Sequence, residues 1–399
     1  MSVAWWYNFR YSTDRKARSG RQACSCVLYL SILMNHISQI TVRAWDVPMR
    51  APYRSAQRIT TVAHNVLVTV TLADGTQGFG ESAPATYVTG ETQASVVQAL
   101  QAVGPPLTGQ AVGEALEVVP EVLPFSMPGA RAALETALLD AAARQAHVPL
   151  FRYLGAETDT VPSAVTDLSL PLLPPDEAHA RAREAYGRGF RAFKIKVGGP
   201  DTDEDRARVL AVAQAAPDAM LRLDGNQGFS SEAAIQFVET LSDLVSRIEL
   251  FEQPTRAGDT QAMYQVHHAL PPSLPVFADE SVHNAEDART LLESEACGGV
   301  VLKLAKSGIS ETRRIAEATY KAGGRCMFGC MMETRIAIGA ALHLTLALGP
   351  EVVPMLDLDG ILLVNDEDLL DGGVTETGAL LRASADAPGL GVTLRSMAA

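Results

Sequence analysis

The stretch FKIK at residues 193–196 opens a series of motifs that decides the fold of this chain. The series continues with LRLDGNQ (221–227), FEQP (251–254), ADES (278–281), LKLAKSG (302–308), MFGCMMET (327–334) and VPMLDLDG (353–360). Each motif joins a short apolar run to charged residues, which recur 24 to 30 residues apart. A strand, a turn and a crossover helix take about 30 residues. Each charged residue therefore marks the carboxyl end of a successive parallel strand, the edge where closed βα barrels carry their active sites.

Three carboxylates, Asp224, Glu252 and Asp279, come from three successive predicted strands. Hard oxygen ligands of this kind suit Mg²⁺, with water and substrate oxygens completing the coordination. A softer metal would favour imidazole or thiolate, and this set contains neither. A single acid at such a position more commonly caps a helix or forms a salt bridge, but three at one spacing favour a metal site.

Lys196 and Lys303 belong to strands that flank the three carboxylates, so a closed barrel would place them across its mouth from each other. This arrangement suits two bases on opposite faces of a substrate, and a nearby cation would push each lysine towards the neutral form that a base requires. Lys194 shares a strand face with Lys196. It would hold a substrate carboxylate or lower the pKa of its neighbour. Lys306 is the alternative to Lys303, but its odd offset predicts the opposite strand face.

Other polar side chains in these motifs are predicted to assist the metal ligands, the lysines or the substrate. Asn226, two residues past Asp224 and on its face, would orient a ligand or a metal-bound water. Glu280 would hold Lys303 in place or cap the next helix. Glu333 would accept a hydrogen bond from substrate, or only from a neighbouring lysine.

Asp357 and Asp359 form a second pair on one face of the last predicted strand. Two adjacent carboxylates repel each other unless a cation lies between them. A substrate ammonium group would supply that cation. A hydrated surface turn is the alternative.

Composition limits the class of protein. The 399 residues suffice for a barrel of about 250 residues and a second domain. Hydrophobic residues make up 47% and charged residues 20%, which is typical of a globular protein. The net charge of −13 is spread along the chain without a basic stripe, which argues against nucleic acid as a partner. Five cysteines, an odd number, do not resemble a disulfide framework, so buried free thiols are expected.

The pattern divides the chain into four parts. The composition of residues 1–39, basic and then apolar, predicts a disordered or non-native extension, with Met34 as a candidate natural start. Residues 40–155 read as an α+β domain with an antiparallel meander, polar loops at 48–61 and 85–93, and helices at 93–101 and 128–145. Residues 156–370 form the barrel, and residues 371–399 read as a loop-like segment that returns to the first domain. No apolar stretch reaches the roughly 18 residues of a membrane span, so a cytoplasmic protein with no membrane partner is expected.

Taken in order from Ile40 to the C-terminus, these motifs resemble the enolase superfamily, and within it the muconate-lactonizing subgroup. The resemblance implies an α/β fold in which an α+β capping domain covers a modified (β/α)7β TIM-type barrel. It also implies Mg²⁺ at Asp224, Glu252 and Asp279, catalytic lysines at 196 and 303, and a homo-oligomer.

Within the subgroup, ATYVTGET (85–92), MMETRIAIGAALH (331–343) and the triplet at 357–359 are most similar to dipeptide epimerases. That similarity implies that Asp357 and Asp359 bind the ammonium group of a dipeptide. The segment SAQRITT (55–61) resembles one whose arginine, here Arg58, meets an acidic side chain in Ala-Glu epimerases, with Arg54 as the alternative. The extension at 1–39 and Ile309, where the family usually has glycine, depart from the pattern.

The resemblance implies Mg²⁺-dependent epimerisation of a dipeptide by 1,1-proton transfer at the α-carbon of its C-terminal residue, with two opposed lysines and an enediolate intermediate. Muconate cycloisomerase, o-succinylbenzoate synthase and N-acylamino acid racemase reactions are alternatives on the same scaffold that require no ammonium site. A catalytically silent binding protein is the alternative of another class.

Overall fold

The computed structural model describes residues 36–54, 59–156 and 162–395. An antiparallel sheet begins the cap, in the order β1 (Ile37–Arg54), β2 (Ile59–Leu72) and β3 (Gln77–Ser82). The tight turn between β2 and β3 places Gly75 at φ 87°, a left-handed backbone that glycine adopts without strain. The first strand starts at Ile37, whose side chain is buried, before the predicted start at Ile40.

The prediction of a polar loop over 48–61 was wrong. Strands β1 and β2 extend through most of this stretch as an antiparallel hairpin, with a register shift between the Pro48 and Tyr53 pairs. Its outward side chains are exposed while Tyr53 is buried. Polar outward residues therefore hid the strand pattern, because a hairpin that projects from a sheet has little apolar surface to bury.

Four helices complete the cap: α1 (Gln93–Leu107), α2 (Val112–Val122), α3 (Pro128–Gln145) and α4 (Leu150–Tyr153). Helix α3 packs closely on β3. A Cβ atom at Gly78 would stand 2.2 Å from the carbonyl oxygen of Ala137, and one at Gly80 would stand 1.8 Å from that of Ala133. Only glycine permits this approach of strand to helix.

The barrel follows the short strand β4 (Ser163–Val165). Its eight parallel strands are β5 (Leu168–Leu170), β6 (Ala192–Lys196), β7 (Met220–Asp224), β8 (Ile248–Glu252), β9 (Val276–Ala278), β10 (Gly299–Leu302), β11 (Arg325–Gly329) and β12 (Met355–Asp357). The seven helices between them are α5 (Pro175–Gly187), α6 (Thr202–Ala215), α7 (Ser231–Glu239), α8 (Thr260–Ala269), α9 (Ala285–Glu293), α10 (Leu304–Lys321) and α11 (Arg335–Leu348). The N–H of Asp167 donates to the carbonyl of Leu356 at 3.1 Å and brings the first strand beside the last. The described chain thus has the predicted (β/α)7β order.

Alternation along the strands separates the core from the site. Ile195, Leu223 and Phe251 are fully buried in the large apolar core of the barrel. In the register, Lys194 pairs with Arg222 and Lys196 pairs with Asp224. Because neighbouring residues on a strand face opposite ways, the apolar positions bury themselves while the charged ones share the other face.

The last part of the chain contains strands that the sequence did not reveal. A short helix α12 (Gly360–Leu363) leads to β13 (Leu370–Gly372), which pairs with β16 (Val392–Leu394), while β14 (Thr375–Thr377) and β15 (Leu380–Arg382) join β4. Each of these four strands has three residues, too few for the alternation of a β-strand to be recognised in the sequence. The N–H of Leu390 donates to Asp140 on α3 at 2.7 Å and links this segment to the cap. Over the described residues, no helix is both long and apolar enough to cross a membrane.

Candidate active site

A cavity of about 460 Å³ lies between the cap and the carboxyl ends of the barrel strands. The cap contributes residues from the β1–β2 hairpin and from the segments at 83–88 and 91–94. The barrel side contributes most of the charge: Lys194, Lys196, Asp279, Glu280, Lys303, Asp357 and Asp359 line the cavity. The strand ends therefore bring most of the predicted site residues into one enclosed space.

The three predicted metal ligands lie at neighbouring strand ends. Asp224 and Glu252 are the last residues of β7 and β8, and Asp279 follows β9 directly. All three side chains are buried. Neither carboxylate oxygen of Glu252 has a hydrogen-bond partner among the described residues. Burial raises the pKa of Glu252 well above its usual range, and the negative charge of Asp224 raises it further.

The two predicted bases each contact one of these acids. Lys196 donates to Oδ2 of Asp224, and Lys303 donates to Oδ2 of Asp279 at 2.5 Å. Burial alone lowers the pKa of both ammonium groups, but the facing carboxylates outweigh it and raise both pKa values above the usual range. The shift is opposite to the one that a neighbouring cation would produce. In this arrangement the carboxylates hold both lysines charged.

Lys194 is buried among three acids of the cluster. Its ammonium group donates to Oδ2 of Asp357 and stands 3.4 Å from Oε2 of Glu252 and 3.6 Å from Oδ2 of Asp224. Both predicted roles, contact with a substrate carboxylate and control of the Lys196 pKa, are compatible with this position. The positive charge of Lys194 does act to lower the pKa of Lys196.

Lys306 requires a correction. Strand β10 ends at Leu302, so Lys306 lies in a helical turn and the argument from strand faces does not apply. Its ammonium group donates to Oδ1 of Asp279 at 2.6 Å, and to the carbonyls of Asp279 and Val301 at 2.5 and 3.0 Å. Lys306 is buried and is not among the described residues that line the cavity. It holds Asp279 from behind, while Lys303 faces the cavity.

The donor set fits a hard divalent cation. Across the described ranges, no three His, Cys, Asp or Glu side chains already stand close enough to hold an ion. The ammonium groups of Lys194 and Lys196 lie among these carboxylates. The three acids nevertheless offer only oxygen donors, which Mg²⁺ prefers. The oxygens of buried Glu252 accept no hydrogen bond from the described residues, although Lys194 lies 3.4 Å from Oε2, so both are available as metal ligands. Asp224, Glu252 and Asp279 are therefore the residues that would hold Mg²⁺.

Asp357 and Asp359 are both buried in the cavity wall, but they do not share a strand face. Strand β12 ends at Asp357, and Asp359 precedes the first turn of α12. Ser169 contacts both, through Oγ to Oδ1 of Asp357 at 3.0 Å and through N–H to Oδ2 of Asp359 at 2.7 Å. Asp357 already has Lys194 as a partner. No Lys or Arg side chain of the described chain forms a hydrogen bond or ion pair with Asp359, and burial, with the charge of Asp357, raises its pKa to about 7.

The supporting residues lie at or beside the cavity. Asn226 follows the end of β7 at φ 41°, so its position comes from a turn and not from the strand face of Asp224. Its Nδ2 donates weakly to Glu280 at 3.5 Å. Glu280 neither caps α9 nor holds Lys303, which donates to the neighbouring aspartate. Glu333 accepts from the N–H of Met331 at 3.3 Å and is not among the described lining residues.

The predicted substrate arginine cannot be placed. Arg58 lies outside the described residues, and for the alternative, Arg54, only the backbone at the end of β1 is described. Neither prediction is therefore tested.

Sequence reasoning missed Glu81, a buried acid at the end of β3. It accepts hydrogen bonds from Thr334 and Ala337 at the start of α11 and from Asn65 on β2. Asn65 also donates to the carbonyl of Met332, a residue that lines the cavity. An acid near the end of a strand in which glycine alternates with larger residues was the available signal. It joins the cap to the loop after β11.

A (β/α)7β barrel under an α+β cap, with acids on three adjacent strands and lysines on either side, is the architecture of an enolase-type enzyme. The sequence supports this classification directly. Residues 177–399 match the family model described as Enolase C-terminal domain-like, and residues 38–155 match the N-terminal domain of mandelate racemase / muconate lactonizing enzyme. The chain belongs to the enolase superfamily, in its mandelate racemase / muconate lactonizing enzyme group.

Similar proteins are named for dipeptide chemistry. A hydrophobic dipeptide epimerase from Citrifermentans bemidjiense is 37% identical, over 87% of this chain and 96% of that protein. An L-Ala-D/L-Glu epimerase from Bacillus subtilis is 33% identical, over 87% of this chain and 93% of that protein. The dipeptide epimerase from Enterococcus faecalis V583, solved with Mg and L-Leu-L-Tyr, superposes with a TM-score of 0.83 at 31% identity, covering 90% of this chain and 99% of that one.

Proposed function

We propose that this chain is an isomerase that epimerises dipeptides at the α-carbon of the C-terminal residue. The observation that carries the proposal is the position of two lysines in one cavity. Lys196 ends β6 and Lys303 follows β10, four strands further round an eight-stranded barrel. Two proton-transfer groups therefore approach a bound substrate from opposite sides, as inversion of a carbon centre requires.

Asp224, Glu252 and Asp279 would hold Mg²⁺ at the strand ends between the two lysines. When bound, the ion would neutralise these carboxylates and the negative charge that develops on the substrate carboxylate as the α-proton leaves. Lys306 supports this part of the site, because its two hydrogen bonds to Asp279 fix that acid from the side away from the cavity.

The lysines carry the proton transfer. One of them, in its neutral form, takes the α-proton at Nζ, and the electron pair of the C–H bond stays with the substrate. The other, charged, gives a proton from Nζ to the opposite face of the same carbon. The pair exchanges roles for the reverse direction, so no net proton is consumed. The cap covers the cavity and limits the entry of water that would reprotonate the carbon without stereochemical control.

The environment of Asp359 favours a substrate that carries an ammonium group. It is a buried acid in the cavity wall that has no described Lys or Arg partner, while Asp357 beside it is already paired with Lys194. A cation at Asp359 would restore the balance of charge in this part of the wall. The proposal therefore assigns the N-terminal ammonium of the dipeptide to Asp359, with Asp357 in support.

The test is exchange of the α-proton in heavy water with Mg²⁺ present, followed by mass detection and chiral separation. Free dipeptides should incorporate one deuterium at the C-terminal residue and change configuration. N-acetylated dipeptides, which lack the ammonium group, should react at least about 100-fold more slowly, because buried Asp359 would then lack its cation. Asp359→Asn should reduce that preference. Equal rates for free and acetylated substrates would reject the ammonium site and favour N-acylamino acid chemistry.

A further inference from the structure

The cavity wall formed by the cap differs in character from the barrel floor. Tyr53 and Val62 of the hairpin and Val88 of the following segment present ring or aliphatic groups to the cavity. On the barrel side, Met332 and Leu363 extend this apolar surface at the rim. The charged residues that a substrate backbone needs are confined to the strand ends. The cap side of the space left for side chains therefore carries apolar groups together with uncharged threonines, and its described residues include no lysine or arginine.

Three polar side chains that the cap places at the cavity, those of His64, Gln93 and Glu91, already have partners. His64 pairs with Asp46 at 2.8 Å, and Gln93 donates to the same carboxylate at 2.9 Å. Glu91 accepts hydrogen bonds from the backbone at the start of α3, with the N–H of Gly129 at 2.8 Å. Among the described lining residues, the cap supplies no Lys or Arg. Among the described residues of this wall, a charged substrate side chain would find no unpaired opposite charge.

Two large apolar side chains near the mouth are exposed. Tyr87, which lines the cavity, is 41% exposed, and Ile59, next to the lining residue Thr60, is 59% exposed. Apolar surface beside a binding cavity gains free energy when an apolar ligand removes it from water. This exposure is an observation independent of the lining of the cavity, and it points to the same kind of ligand.

Resting on the proposed function, we infer that the dipeptide substrate carries apolar side chains. An acidic side chain would require a cation, and the described lysines of the cavity already contact Asp224, Asp279 and Asp357. Besides Asp359, which is assigned to the N-terminal ammonium, a basic side chain would find one further acid, Glu280, whose Oε2 is buried without a described partner. Glu280 follows Asp279 and lines the cavity from the barrel, whereas the apolar groups come mainly from the cap.

The experiment compares matched dipeptides in heavy water: L-Ala-L-Leu and L-Leu-L-Leu against L-Ala-L-Glu and L-Ala-L-Lys. We expect kcat/KM to be at least about tenfold higher for the apolar pair. A preference for the Glu substrate, lost in Arg58→Ala, would overturn the inference in favour of Arg58 as a cationic partner. A preference for the Lys substrate, lost in Glu280→Gln, would overturn it in favour of the floor acid. Absence of exchange into every dipeptide would instead reject the proposed function itself.

A pair of variants on one strand tests the wall directly. Val62 is half-buried and lines the cavity, whereas its neighbour Thr61 is exposed and does not. Val62→Lys should lower kcat/KM for L-Ala-L-Leu by about tenfold or more and raise the relative rate for L-Ala-L-Glu. Thr61→Lys places the same charge on the other face of β2. It should leave kcat/KM for L-Ala-L-Leu and the relative rate for L-Ala-L-Glu within about twofold of wild type. Equal effects of the two variants, with both folded by circular dichroism, would contradict the inference.

Discussion

The carboxylate of Glu81 tests how the cap is fixed to the barrel. It accepts hydrogen bonds from Nδ2 of Asn65 at 2.7 Å, from N–H and Oγ1 of Thr334 at 3.0 and 2.6 Å, and from N–H of Ala337 at 3.2 Å. Glu81→Ala would leave these four buried donors without an acceptor. Each buried polar group that loses its partner costs about 1 to 3 kcal/mol. Because water can enter the space and satisfy some donors, we expect the free energy of unfolding to fall by about 3 to 5 kcal/mol.

The charge of Glu81 has the opposite effect to its acceptor oxygens. Burial raises the pKa of Glu81 to about 7 in the folded state, despite the hydrogen bonds that lower it. Between the pKa of an unfolded glutamate, near 4.5, and this value, the folded state binds more protons than the unfolded state. The contribution of this group to the free energy of unfolding therefore has its full value below pH 4.5. It is lost as pH rises through 7, by up to about 1.4 kcal/mol per pH unit.

Glu81→Gln separates these two contributions. The amide keeps an acceptor oxygen without the charge, so we expect a loss of less than about 2 kcal/mol at pH 8 and a weaker dependence on pH. Urea unfolding at pH 5 and pH 8 measures both variants, and hydrogen exchange at Thr334 and Ala337 reports the local opening. Glu121→Ala, an exposed acid in α2, is the matched control and should change stability by less than about 0.5 kcal/mol. If Glu81→Ala stays within about 1 kcal/mol of wild type, the reasoning about these hydrogen bonds is refuted.

Three further predictions concern other parts of the fold and site. Buried His343 accepts a hydrogen bond from the N–H of Phe151, and burial lowers its pKa to about 3. The free energy of unfolding should therefore decline as pH falls below 6.5, by up to about 1.4 kcal/mol per pH unit. Urea unfolding of His343→Gln should show a flatter pH profile, and an unchanged profile would contradict this. Gly308→Ala should lower stability by about 1 to 3 kcal/mol, because Gly308 has φ 78° and a Cβ would stand 2.8 Å from Oε2 of Glu135; an unchanged Tm would count against it. Glu252→Gln should weaken Mg²⁺ binding by at least about tenfold in calorimetry. A chelator should abolish exchange of the dipeptide α-proton by the wild type, and exchange that survives chelation would reject the metal assignment.

The placement of the strand ends could be predicted because it depends on local patterns. Asp224 and Glu252 end their strands, and Asp279 and Lys303 follow theirs at once, since each apolar run must be buried and each charged residue must reach the mouth. The period of a βα unit carries this information along the chain. It gives the position of a residue in its unit, but not the partner that its side chain selects.

The pairing inside the cluster could not be predicted for that reason. Lys194 donates to Asp357, 163 residues away, and the choice depends on barrel closure and on the burial of every neighbouring charge. The sequence placed Asp357 and Asp359 as an equivalent pair, whereas only Asp359 lacks a described cationic partner. Lys306 was misplaced because the end of β10 was set too late by the apolar run that continues through Leu304.

The cap was the harder part to predict. Its hairpin has polar outward residues, so composition suggested a loop where the backbone forms strands. Helix α2 contains Pro120 in its last turn and was not recognised. Glu81 gave no periodic signal, because its role is a contact with the start of α11, more than 250 residues later in the chain. Long-range polar contacts produce no pattern that a single sequence reveals, whereas apolar periodicity can be recognised in it directly.

The most direct measurement of the central claim is α-proton exchange by the two single-lysine variants. Lys196→Ala and Lys303→Ala are each incubated in heavy water with Mg²⁺ and with the L,L- and L,D-forms of a dipeptide that the wild type epimerises. We predict that neither variant epimerises, that each exchanges the α-proton of one diastereomer only, and that the two variants act on opposite diastereomers. Full epimerisation by either variant, or exchange of the same diastereomer by both, would contradict the two-base account.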